Sequence, residues 1–260
     1  MTIALAESLR EAGTVEPTHL LANFRAHYEP ARGFGRGMKL ALSALDRGVH
    51  WTEIAYVAWP EGSRGNGGAV RVGVVALRPW VDFTALRSAA TLATRLTHAH
   101  EEAIAAALVQ VSMVAFILRE PSLAGSPLEL FRRASSLFDP SDPAVSLIEA
   151  ISSAVAQHLS PTELARIFGT STLAVESVPA ALTSFLCNHS TFEDAILQAA
   201  ALGGDVDSIC ALVGCLAGAL HGFSAIPPLW LAALASEVPS IHELCALADD
   251  LAALPPVGSP

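Results

Sequence analysis

The sequence predicts an all-α protein, and three observations predict it. Apolar residues make up 52% of the 260 residues against 15% charged and 6% aromatic, with alanine and leucine dominating, a balance that favours helix over strand. Apolar positions recur at helical spacing along most of the chain. Glycines and prolines cluster between these periodic stretches and punctuate them. A chain of this length buries a sizeable core without demanding two domains, so one helical domain is expected over residues 1–254, followed by a disordered tail at 255–260.

Taken in order, residues 1–12 (MTIALAESLREA) read as a helix with positions 3, 5, 6 and 9 on one side and no capping residue ahead of it. Gly13 ends it, and 17–28 form a second helix with Leu20, Leu21 and Phe24 inward. The glycines of RGFGRG at 32–37 then make a turn before a helix at 38–45. Residues 83–119 carry two helices with LTHAHEE at their junction, continuing into an apolar run from 103 to 118. Prolines at 121, 127, 140 and 143 separate short helices at 128–138 and 144–158. Ser160, Pro161 and Glu163 have the order of a capping box with proline at the first helical position. Pro179 is expected to start an apolar helix that runs to Cys187, and 191–202 an amphipathic one. Pro227-Pro228, a helix containing Trp230, and a helix over 241–254 complete the chain.

Charge and cysteine usage narrow the function classes. The net charge is −10, and no basic run exceeds Arg132-Arg133, so the electrostatic footprint of a nucleic-acid binder is missing. Cys187, Cys210, Cys215 and Cys245 show no CxxC spacing, and three of them sit in apolar helical patterns as small hydrophobes, which points to a reducing compartment. The stretch 209–220, read as the longest apolar run, falls short of the ~20 residues that cross a bilayer. The N-terminus lacks the basic flank of a signal peptide. A cytoplasmic monomer that engages neither membrane nor nucleic acid is the expectation.

Three stretches carry chemistry. Gly203-Gly204-Asp205-Val206-Asp207-Ser208 places two carboxylates and a hydroxyl where a small-residue helix begins. Oxygen donors of this kind suit a hard cation such as magnesium, and a helix N-terminus offers free N–H groups to a nearby anion. Asp205 as a simple N-cap and Asp207 as a dipole-favoured acid is the other reading of the same residues. Residues 59–71 (WPEGSRGNGGAVR) hold four glycines and a serine, the composition of a loop whose backbone N–H groups cradle phosphate; it is neither a Walker loop nor a Rossmann fingerprint, and a flexible surface turn is its plain alternative. In LTHAHEE the spacing is not that of a zinc site. His98 is read as facing a cleft, and His100, Glu101 and Glu102 as a solvated first turn.

With these pieces in order, the chain resembles the ADP-ribosylglycohydrolase family, through RGFGRG, GSRGNGGAVRV, LTHAH, AVESVPAAL and GGDVDSICALVGCLAGALHG followed by IPPLW. The resemblance covers nearly the whole chain. It implies an all-helical enzyme that binds two magnesium ions in a central cleft and hydrolyses the bond between ADP-ribose and a protein side chain or another group. Carried over, Asp205, Asp207 and Ser208 are metal ligands, with serine where threonine is commoner. Gly62, Ser63, Gly65 and Asn66 hold the diphosphate, Gly35 lies near the adenosine, His98 lies near the ribose, and Trp59 is a candidate stacking aromatic. The expected partner is an ADP-ribosylated protein or an ADP-ribose derivative; Gly62-Ser63 is more similar to the branch acting on serine-linked or acetylated ADP-ribose than to the arginine-specific one.

The resemblance also implies a Thr-Asp-Asp-Thr segment with further metal ligands, just ahead of a helix that opens much as MTIALAESL does. Met1 stands where that segment ends. The chain as given is therefore expected to lack part of the metal shell, to leave open an apolar face at its N-terminal end, and to be inactive; a non-catalytic ADP-ribose-binding relative is the alternative. No general acid or base is assigned.

Overall fold

The computed structural model describes residues 1–123, 125–237 and 239–258. α1 (Thr2–Ala12) buries Ala4, Leu5, Ala6 and Leu9 and ends at Gly13, whose φ of 72° takes the left-handed conformation that only glycine adopts freely. α2 (Pro17–Ala26) starts where the Glu16 carboxylate accepts the Thr18 and His19 N–H groups, and it turns Leu20, Leu21 and Phe24 inward. α1 lies between α2 on one side and the C-terminal helix on the other. Ala4, Leu5, Ala6 and Leu9 are at most 5% exposed, whereas Ile3 is only partly buried.

α3 (Arg36–Asp46) follows the glycine turn, and the single turn α4 (Trp51–Ile54) leads into the loop 55–66. α5 (Gly67–Val72) continues as a 3₁₀ turn through Leu77. α6 (Phe83–Arg95), capped by Asp82, and α7 (Glu101–Arg119), capped by His100, form the expected pair. Beyond them come α8 (Pro127–Ser135), α9 (Ala144–Ala156), α10 (Pro161–Phe168), α11 (Ala174–Cys187), α12 (Phe192–Ala200), α13 (Val206–His221), α14 (Pro228–Ala233) and α15 (Ile241–Ala253). Among the described residues there is no strand, only isolated bridges at Gly65–Leu173 and Trp80–Val257. The fold is all-α.

α7 is the axis. Thirteen of its 19 residues are buried, and α5, α6, α8, α9, α11 and α13 pack around it. A helix that is apolar on every side needs such a sheath. The longest apolar stretch is therefore this one, not 209–220. α7 is long and apolar enough to cross a membrane, but most of it is covered by its neighbours. Gln110 ties it to α13 by donating to the Leu212 carbonyl at 3.0 Å.

Two further expectations are corrected. α11 begins at Ala174, so Pro179 lies inside the helix and not at its start. Proline removes one backbone bond, yet everything from Ser177 to Leu186 is buried, and that packing holds the helix through the defect. Residues 255–258 are not a frayed tail: the Val257 carbonyl accepts the Val81 N–H at 3.1 Å, and its own N–H reaches the Pro79 carbonyl at 3.4 Å. The last two residues of the expected tail lie outside the described residues. The capping box at Ser160 and Glu163 forms as read.

Candidate active site

Loop 169–173, between α10 and α11, is the part to which the other site elements are fastened. The Ala174 N–H donates to the Arg64 carbonyl at 2.9 Å and the Asn66 N–H to the Thr172 carbonyl at 2.8 Å, which pins the glycine-rich loop along it. Two residues before Thr172, the Thr170 carbonyl accepts the Asp205 N–H at 2.7 Å. One short strut therefore holds both the phosphate-loop candidate and the head of α13. Glu176 braces the strut by accepting the Ser171 N–H at 3.1 Å.

Side chains close the same junction. Asn66, only 6% exposed, donates through Nδ2 to Oδ2 of Asp205 at 2.6 Å and to Oγ of Ser177 at 3.0 Å. Asp205 occupies the N-cap position of α13, but its carboxylate makes no cap bond. That carboxylate faces Asn66 across the junction, so capping is not what it does.

Close approach explains two of the glycines. Gly62 has φ 86°, and a Cβ there would lie 2.6 Å from the Ala99 carbonyl carbon at the head of α7. Gly204 has φ 70°, and a Cβ would lie 2.6 Å from Cβ of Thr170. Both loops are thus pressed against backbone that no larger residue allows.

In front of the strut is a cleft of about 650 Å³ lined by Trp59, Ser63, Arg64, Gly65, His100 and Leu173, among others. Its size is that of a pocket for a nucleotide-sized ligand. The Trp59 indole nitrogen lies 3.2 Å from where a Cβ on Gly37 would stand, so the glycine turn after α2 abuts the cleft through this aromatic ring.

The family model described as ADP-ribosylglycohydrolase matches residues 1–259. The chain belongs to the ADP-ribosylglycohydrolase family. Among its relatives, ADP-ribosylhydrolase ARH3 of Mus musculus is 30% identical over 261 residues, covering 88% of this chain and 70% of the relative. ADP-ribosylarginine hydrolase Tri1 of Serratia proteamaculans is 52% identical, over only 50 residues and 19% of this chain. A solved structure described as an ADP-ribosylglycohydrolase-related protein complex superposes with a TM-score of 0.69 at 29% identity, covering 97% of this chain and 79% of that one.

Within this family fold, the residues singled out from sequence divide into three groups. Gly62, Ser63 and Gly65 line the cleft. The glycines do not offer their own amides to it, because the Gly62 N–H donates to the Trp59 carbonyl at 2.8 Å and the Gly65 N–H to Oγ of Ser63 at 3.2 Å. They shape the loop, and the N–H groups of Ser63 and Arg64 are the ones without a protein partner among the described residues. Asn66 stands behind the wall and carries the link to Asp205. Gly35 lies outside the lining, at the N-cap of α3.

Of the two histidines, His100 and not His98 is in the lining of this cleft. His98 packs behind the loop, with Nε2 3.0 Å from where a Cβ on Gly67 would stand and Nδ1 2.7 Å from Oγ1 of Thr97. Burial, and then the Arg71 guanidinium, push its pKa down to about 3, so the ring is neutral near pH 7. His100, read as part of a solvated turn, lines the cleft with its side chain 11% exposed.

Arg71 was also missed. Buried and resting over the Phe24 ring at 5.1 Å, its guanidinium donates to Oγ1 of Thr97 at 2.5 Å and to the Ala93 carbonyl at 2.9 Å. Its one signal in the sequence is a lone charge in an otherwise apolar run.

The donor set at the head of α13 has the chemistry that a magnesium ion takes. Asp205 is half-buried and points into the junction, Asp207 is exposed and has no ion pair among the described residues, and Ser208 follows it. Two carboxylates and a hydroxyl are a sufficient protein share for a cation that keeps several waters. Among the described residues no group of three or more His, Cys, Asp or Glu side chains is arranged to hold a metal, so Asp205 and Asp207 are the carboxylates this end of α13 brings.

Proposed function

We propose that this protein is a magnesium-dependent hydrolase that releases ADP-ribose from an ADP-ribosylated protein or an O-linked ADP-ribose derivative. The observation that carries the reading is the 2.6 Å bond from Asn66 to Asp205, because it joins the loop fitted for a diphosphate to the carboxylates fitted for a cation. A ligand whose diphosphate meets the free Ser63 and Arg64 amides would be held two residues along the loop from Asn66, the side chain that reaches Asp205. Trp59 supplies an aromatic face at the cleft edge. Asp205, Asp207 and Ser208 would hold the ion, which when bound supplies positive charge that orients ribose oxygens and activates water. The Asn66 amide, by donating to one oxygen of Asp205, fixes how the other is presented.

The mouse relative named ADP-ribosylhydrolase matches along most of the chain, whereas the arginine-linked one matches locally; this supports a linkage other than arginine. The four free thiols support a reducing, cytoplasmic setting.

A second reading, a relative that binds ADP-ribose without cleaving it, is favoured by the absence, among the described residues, of any group of three or more His, Cys, Asp or Glu side chains arranged to hold a metal. One assay separates them. With magnesium and a panel of serine-, arginine- and O-acetyl-linked ADP-ribose, the hydrolase reading expects released ADP-ribose that is lost on adding chelator. Binding of ADP-ribose that is indifferent to magnesium, with no release from any linkage, supports the second reading.

A further inference from the structure

Arg64 and His100 meet in the cleft wall, and the hydrogen bonds they make conflict. Two donors aim at one imidazole: the Glu102 N–H at Nδ1, at 3.2 Å, and the Arg64 Nε–H at Nε2, at 3.1 Å. A neutral imidazole offers one lone pair and one N–H, and the cationic form offers no lone pair. Both bonds therefore cannot be satisfied together.

The bond to Glu102 is the better anchored of the two, because it caps the helix at the centre of the fold. With Nδ1 accepting that bond, Nε2 carries hydrogen and stands against the Arg64 donor. What else holds Arg64 is weak. Its ion pair with Glu102 spans 3.4 Å between side chains 51% and 36% exposed, and exposed pairs contribute little.

An acceptor with several lone pairs entering the cleft satisfies both donors at once. We infer that Arg64 and His100 form a switchable anion contact, in which Arg64 leaves the imidazole and both side chains donate to one phosphate group of the ligand. The contact is built from side chains and is separate from the glycine-loop amides. Glu61 and Glu102 flank it and disfavour a free anion, so it selects a phosphate already tethered in the cleft. The inference rests on the reading of this cleft as the ADP-ribose site.

The test is calorimetric titration of ADP-ribose into the full chain and two variants. Arg64→Gln removes an exposed cation. His100→Asn keeps a good N-cap residue at the head of α7 while deleting the distal nitrogen. Each is expected to weaken ADP-ribose binding about tenfold, as loss of a charge-assisted contact does. In the ¹⁵N spectrum of the unsubstituted protein, the His100 Nε2 resonance is expected to shift when ADP-ribose is added. Affinities within twofold of the unsubstituted protein in both variants, or an unmoved His100 resonance in a protein that binds ADP-ribose, would overturn the inference alone. No binding of ADP-ribose to the unsubstituted protein would overturn the reading of the cleft and the inference with it.

Discussion

Gly204→Ala is expected to destabilise the protein by about 2–5 kcal/mol, the sum of left-handed backbone strain and a steric clash. Gly203→Ala serves as its control. The two glycines have nearly the same φ, 72° and 70°, but a Cβ on Gly203 meets nothing within 4 Å whereas one on Gly204 enters Thr170. The control is expected to lose only the strain, about 1–2 kcal/mol. The difference between them, read from urea midpoints at a common m-value, measures how tightly the strut is pressed against the head of α13. Equal losses in the two variants would mean that this approach has slack. Gly204→Ala is also expected to abolish turnover, because Thr170 cannot yield without moving the Asp205 N–H that it accepts.

The second large effect is at Asn66. Asn66→Asp replaces an amide that donates to Asp205 and Ser177 with a carboxylate that faces another carboxylate in a site 6% exposed. Two donors are lost and a like charge is buried, a combination expected to cost about 3–5 kcal/mol. Asn66→Ala removes the donors without adding charge and is expected to cost less, about 1–3 kcal/mol. Turnover in both is expected to fall at least about a hundredfold, since presentation of Asp205 depends on the amide. A variant Asn66→Asp as stable as Asn66→Ala would show that Asp205 and residue 66 do not share a desolvated junction.

What was legible in the sequence had a local cause. Helix spacing, the capping box at Ser160 and the apolar faces of α1 and α2 are each written within one turn or two of chain. The grouping of Gly203 to Ser208 was legible for the same reason, because its chemistry is contiguous. The strut was not. Thr170 and Thr172 work through carbonyls, which every residue has, and nothing in their side chains marks them for it. His98 and His100 are separated by one residue, and that His100 lines the cleft depends on loop 59–65 being laid against it from 37 positions away, at Gly62 and Ala99. Pro179 reads locally as a helix start, and only burial of α11 on every side overrides that reading. Val257 looked like tail until it paired with the edge of Trp80.

The central claim is that the glycine loop, the strut and the head of α13 form one ligand site. Hydrogen exchange of the backbone amides, compared without ligand and with ADP-ribose and magnesium, tests it most directly. The account expects protection to rise together at 62–66, 170–174 and 205–208, and the rise at 205–208 to be lost when magnesium is withheld. Protection confined to 62–66 with 205–208 unchanged in either condition, or protection appearing away from all three segments, would contradict it.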